Sequence, residues 1–155
     1  MPTFLTKEGF EKIKNEIHHL KTTGRAEAGA ALAEAREKGD LSENAEYDAA
    51  KEEQAKLEKR IAMLEMALTD VRILEDHEID ASKVSILTTV QLKNLKTGKE
   101  FTYKIVSEIE ADFKASKLSV SSPIGKGLLG HKKGEKVAIQ TPAGAMDYHI
   151  LDISK

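Results

Sequence analysis

Two long helical patterns meet at Gly39-Asp40-Leu41-Ser42-Glu43-Asn44-Ala45-Glu46-Tyr47, and that break limits what the first half of the chain can become. Beyond it, Tyr47, Ala50, Gln54, Leu57, Ile61, Leu64, Leu68 and Val71 recur at spacings of three and four. That is a coiled-coil seam, and it predicts a helix from about Glu43 to Leu74. Before the break, Phe10, Ile13, Ile17 and Leu20 mark one face of a helix that starts near Thr6, a predicted N-cap, and runs to about Lys38. This pattern is interrupted at Thr22-Thr23-Gly24-Arg25 and resumes with Ala28, Ala31 or Leu32, and Ala35. Two threonines and a glycine cost roughly 1–2 kcal/mol relative to alanines there, so a bend or register change is expected. A short connection forces the two helices to run antiparallel. At 1.5 Å per residue, helices of about 30 residues make a rod on the order of 45 Å long.

The connection carries two nearby carboxylates. Gly39 accepts φ > 0 and suits the C′ position of the first helix. Asp40 is a favoured N-cap for the second, and Glu43 follows in capping-box spacing. The same pair could instead share a hard cation such as Mg²⁺. Two carboxylates alone do not build a Mg²⁺ site, so the tip would need another molecule to supply the remaining oxygens. Spacing does not decide between capping and metal binding.

From about Asp76 the periodicity changes, which divides the chain into 1–76 and 77–155. Glu75-Asp76-His77-Glu78-Ile79-Asp80 reads as a polar linker. Val84 to Leu95, Phe101 to Val106, Leu118 to Val120, and a terminal hairpin of Val137 to Gln140 with Met146 to Ile153 read as strands. Pro123 to Gly130 reads as a short helix. The fold class is therefore α+β: an antiparallel helical hairpin followed by a small antiparallel β domain. Residues 1–76 hold 12 basic and 17 acidic side chains, net −5; residues 77–155 hold 12 and 9, net +3. Neither half has the basic excess of a protein that grips duplex nucleic acid unaided. With no cysteine, a disulfide framework and thiolate metal ligation are excluded. No apolar run reaches the roughly 18 residues of a membrane span. Met1 to Glu8 shows no signal-peptide pattern, so a cytoplasmic protein is expected. His18 and His19 are adjacent and cannot grip one metal from one helix face. Gly125-Lys126-Gly127 lacks the Gly-Lys-Ser/Thr ending of a phosphate loop.

The run from Ala33 to Lys51, with Leu5-Thr6-Lys7-Glu8-Gly9, Ala111-Asp112-Phe113-Lys114 and the stretch from Val120 to Gly130, closely resembles the GreA/GreB family of bacterial transcript cleavage factors. The resemblance implies a coiled-coil hairpin followed by an FKBP-like β domain that docks on RNA polymerase. The rod then enters the polymerase's secondary channel. Asp40 and Glu43 match the family's two tip acids, which help hold a second catalytic Mg²⁺ while the polymerase hydrolyses the 3′ end of backtracked RNA. A chain of this kind has no cofactor and no catalysis of its own, and is expected to be a monomer. Arg36 and Lys51 match basic positions linked to the nascent RNA 3′ end. Lys51 stands where some members carry arginine, which removes bidentate phosphate contact there. Ser122, Pro123 and Ile124 match the docking loop. Two alternatives are weighed against this: a channel-binding regulator of the polymerase that does not stimulate cleavage, and a peptidyl-prolyl isomerase. The second is disfavoured by the few aromatic residues of the C-terminal half.

Overall fold

The computed structural model describes residues 2–39 and 44–155, and divides the chain into two compact units. One unit is Phe10–Asp70; the other joins Met1–Gly9 to Val71–Lys155. A single cut at 76/77 does not fit this division, because strand β1 (Thr3–Leu5) pairs in parallel with β2 (Val71–Ile73). Ser107 reinforces the pairing: its hydroxyl donates to the Phe4 carbonyl at 2.7 Å and accepts from the Phe4 N–H at 3.2 Å.

The helical unit contains most of α1 (Lys7–His19), then α2 (Arg25–Glu37) and α3 (Ala45–Ala67). Thr6 caps α1 as expected, accepting from the Gly9 N–H at 3.0 Å. The predicted irregularity is a π-helical turn over Leu20–Gly24. Leu20, Gly24, Ala28 and Leu32, none of them exposed, follow one another at intervals of four. Four-residue steps overrun a 3.6-residue helix, and a wider turn absorbs the drift. Thr22 also donates its hydroxyl to the His18 carbonyl at 2.8 Å, which competes with the α-helical ladder. At Gly24 an added methyl would lie 3.1 Å from a methyl of Leu57, so the glycine lets the helices approach. The antiparallel pairing is visible in cross-helix ion pairs: Glu16 with Arg60, Lys21 with Glu65, Arg25 with Glu58, and Lys38 with Glu46. Along α3 the less exposed positions include Tyr47, Ala50, Gln54, Leu57, Ile61 and Leu64, matching the predicted seam. The helix ends at Ala67 rather than Leu74, and Leu68–Asp70 forms a 3₁₀ turn.

The β unit holds β3 (Thr89–Asn94), β4 (Glu100–Val106), β5 (Lys117–Ser119), β6 (Lys136–Thr141), β7 (Gly144–Ser154) and the short helix α4 (Pro123–Leu128). The sheet order is β5-β4-β3-β7-β6. Three pairs are antiparallel, but β5 runs parallel to β4. The sheet is thus mostly antiparallel, and residues 107–116 form the crossover, with two 3₁₀ turns, that a parallel edge strand requires. Val90, Leu92, Tyr103, Ile105, Val137, Ile139, Tyr148 and Ile150 form the inner face, and Leu128 of α4 is buried among them. The predicted polar linker is partly structured. Glu75 and Glu78 form a capping box around a 3₁₀ turn, and Ile79 is buried with Leu87 and Val106.

Candidate functional site

The end of the hairpin is defined by the residues that border it. Asp40 and Glu43, with Leu41 and Ser42, lie outside the described residues. The capping role expected of Asp40 is filled by Asn44, whose side-chain oxygen accepts from the N–H groups of Glu46 (3.0 Å) and Tyr47 (3.1 Å). The Asn44 amide also donates at 2.6 Å to the Ala35 carbonyl, in the last turn of α2, which accepts the Lys38 N–H at 3.3 Å as well. One side chain therefore joins the last turn of α2 to the first turn of α3. The groove beside it is lined by Ala28, Ala31, Ala35, Ala49 and Ala50, with Glu34, Lys38, Glu46 and Glu53 at its margins.

Arg36 and Lys51, on different helices, are brought to the same aromatic ring. The Arg36 guanidinium carbon is 5.8 Å from the centre of the Tyr47 ring, and Lys51 Nζ is 5.5 Å from it. Both cations are exposed and Tyr47 is half-buried. Among the described residues, neither has a carboxylate within ion-pair distance, whereas nearby Lys38 bridges Glu46 (3.2 Å) and Glu34 (3.7 Å). Hydrogen bonding to Glu46, then the Glu46 and Glu34 charges, hold Lys38 above the usual lysine range. Sequence reasoning placed Tyr47 only on the seam. Its spacing to Lys51, one helical turn, was the available signal.

Ser122, Pro123 and Ile124 open α4. The Ser122 hydroxyl accepts from the Gly125 N–H at 3.1 Å and donates to the Ser119 carbonyl at 2.6 Å, so it acts as the helix cap. Pro123, at the first helical turn, is exposed, while Ile124 packs against the sheet core. A methyl group at Gly125 would run into the Ser119 carbonyl, and one at Gly127 would meet Ile139 at 2.8 Å, so both glycines set the close seating of α4. Of the three residues, Pro123 is the one most available to a partner.

Elsewhere, Glu75, His77 and Glu78 present ligand-type atoms within 4.8 Å of one another, all exposed, but the capping box already accounts for the two glutamates. Tyr103 and Tyr148 are core residues, and burial pushes both phenols above the ordinary tyrosine range. Phe101 stacks on Tyr103, and Phe113, tilted by 33° to the Tyr103 ring, is 72% exposed. No helix among the described residues is long and apolar enough to cross a membrane.

The family model for the N-terminal domain of transcription elongation factors matches residues 3–73, and the one for the GreA/GreB C-terminal domain matches residues 72–155. The chain is 53% identical to transcription elongation factor GreA of Amoebophilus asiaticus over 152 residues, covering 98% of this chain and 97% of that one. It is 48% identical to GreA of Flavobacterium johnsoniae over 153 residues, covering 99% and 97%. The crystal structure of Thermus aquaticus Gfh1 aligns at 31% identity over 99% of each chain, with a TM-score of 0.46. The chain belongs to the GreA/GreB family of transcription elongation factors.

Proposed function

We propose that this elongation factor docks on RNA polymerase through α4 and its cap, and carries the tip of the α2–α3 hairpin into the secondary channel. There it stimulates the polymerase's own Mg²⁺-dependent cleavage of backtracked RNA. The factor acts as a cytoplasmic monomer and brings no cofactor with it. The observation that supports this reading best is that Asn44 caps α3. Capping of that helix is the competing explanation for Asp40 and Glu43, and Asn44 supplies an N-cap there.

The donor chemistry suits the implied ion. Carboxylate oxygens are hard ligands for Mg²⁺, and two of them leave positions for oxygens from polymerase, RNA and water. A second ion in such a site helps to generate the attacking hydroxide and to stabilise the leaving oxygen. The protein's own residues have simpler tasks. Asp40 and Glu43, ionised at neutral pH, offer their oxygens to that ion. Arg36 and Lys51 attract the RNA phosphates. Asn44 holds together the last turn of α2 and the first turn of α3, and the alanines beside the groove keep the helices close enough to enter a channel.

The test is RNA release from stalled, backtracked elongation complexes of a bacterial RNA polymerase in Mg²⁺. Wild-type factor is compared with Asp40→Asn/Glu43→Gln and with no factor. The expected result is faster 3′-end cleavage with wild type alone. Equal rates in all three, with binding of the factor demonstrated separately, would overturn the reading and leave a channel-occupying regulator.

A further inference from the structure

The rod's other cross-helix cations are neutralised by carboxylates. Arg25 forks onto Glu58 at 2.8 and 3.0 Å, Arg60 onto Glu16 at 3.2 Å through both nitrogens, Lys21 meets Glu65 at 2.7 Å, and Lys38 is shared by Glu34 and Glu46. Among the described residues, Arg36 and Lys51 depart from this pattern. What gathers them is the face or rim of one ring, with both charges within the distance at which an aromatic quadrupole attracts a cation. A ring holds a cation in place without cancelling its charge. A carboxylate would cancel it.

We infer that Tyr47 is the positioning residue of a two-cation site that takes one phosphodiester segment of RNA. Arg36 arrives from the last turn of α2 and Lys51 from α3, one turn beyond Tyr47. Neither helix alone supplies both charges. Tyr47 sits on the seam, where packing fixes its backbone, and its own N–H is one of the two that Asn44 caps. Its ring is therefore anchored at the hairpin's end and sets where the two exposed side chains rest before any ligand arrives. Holding two long cationic side chains near one point reduces the ordering cost of a phosphate contact. A phosphodiester suits the pair: the guanidinium can bind it bidentately and the ammonium as a point charge. This inference rests on the proposal above that the tip meets the RNA 3′ end.

The test uses full-length factor on backtracked complexes whose RNA ends in a photoreactive nucleotide, and reads the yield of RNA crosslinked to the factor at saturating factor. Tyr47→Leu keeps an apolar seam residue but removes the ring. It is expected to lower the yield roughly threefold to tenfold, as is Arg36→Ala, in line with two weak cation–π contacts. Tyr47→Phe, which returns a ring, is expected to recover most of the yield. The combined Arg36→Ala/Tyr47→Leu variant is expected to lose clearly less than the product of the two single losses, since without Arg36 the ring change acts only through Lys51. A double variant whose loss equals the product of the two single losses would overturn the inference, as would Tyr47→Leu at wild-type yield. Helical circular dichroism identifies any variant that has lost the hairpin, and Tyr47→Met then replaces Tyr47→Leu. If wild-type factor binds the polymerase and speeds cleavage but never crosslinks to RNA, the RNA contact and this inference fail together while the metal-donating role stands.

Discussion

Asn44 donates from its amide to the Ala35 carbonyl and accepts from two N–H groups of α3, so substitutions can separate the two halves of its role. Asn44→Ala removes both. Loss of an N-cap of this kind costs about 1–2 kcal/mol, and the Ala35 carbonyl keeps only its bond from the Lys38 N–H. Asn44→Asp keeps an acceptor that caps as well as asparagine but removes the donor. Thermal melting followed by helical circular dichroism should order the proteins as wild type, Asn44→Asp, then Asn44→Ala. An aspartate variant as stable as wild type would show that the bond to Ala35 contributes nothing. In the sequence, spacing to Glu43 pointed to Asp40 as the cap of the second helix. What decides for Asn44 is an amide that reaches back to the preceding helix. That is a tertiary property, which spacing along the chain does not encode.

The helical hairpin is a thin element with few fully buried side chains, among them Ile13, Ala35, Ile61 and Leu64, so its polar surface contributes more than it would in a thick domain. The Arg25–Glu58 fork is the best-formed of its ion pairs. The Arg25 hydrogen bond holds the Glu58 carboxyl below its ordinary range, and the Glu58 hydrogen bond holds Arg25 above its own. A carboxyl with a depressed folded pKa contributes stability that is present above its unfolded pKa and lost as pH falls through the folded value. The loss is therefore expected in the acid range, below about pH 4.3, the ordinary glutamate value. Helicity followed during acid titration should fall less steeply for Glu58→Gln than for wild type, and the difference should shrink in high salt. Parallel titrations would show instead that the fork is too exposed to matter. The seam that brings these partners together was legible because alternating threes and fours place every contact of α3 on one stripe. The π-helical turn was legible only as an irregularity. Its type depends on three successive steps of four, from Leu20 to Leu32, which pack on α3 once the helix widens.

For the whole molecule, the division into units is discontinuous in sequence, and this was not visible in the periodicity. Thr3-Phe4-Leu5 is too short to declare itself a strand, and Val71-Arg72-Ile73 continues a helical pattern almost without a break. Their parallel pairing becomes favourable only because Leu5 can be fully buried and Ser107 can bond both backbone groups of Phe4. The Leu74 N–H adds a further bond to the Leu5 carbonyl at 2.9 Å. The first residues of the chain are thus structural members of the β unit, and a test follows from comparing two fully buried leucines, Leu5 in that unit and Leu64 in the hairpin. Each leucine-to-alanine change should cost about 3–5 kcal/mol, through lost burial and the cavity left behind. The costs should fall in different places. Native-state hydrogen exchange should show Leu5→Ala lowering protection at sheet amides such as those of Val90 and Ile105, with α3 little changed. Leu64→Ala should lower protection around Ile61 and leave the sheet amides as they were. If Leu5→Ala instead spared Val90 and Ile105, the N-terminal strand would be an attachment to the β unit and not part of its cooperative core.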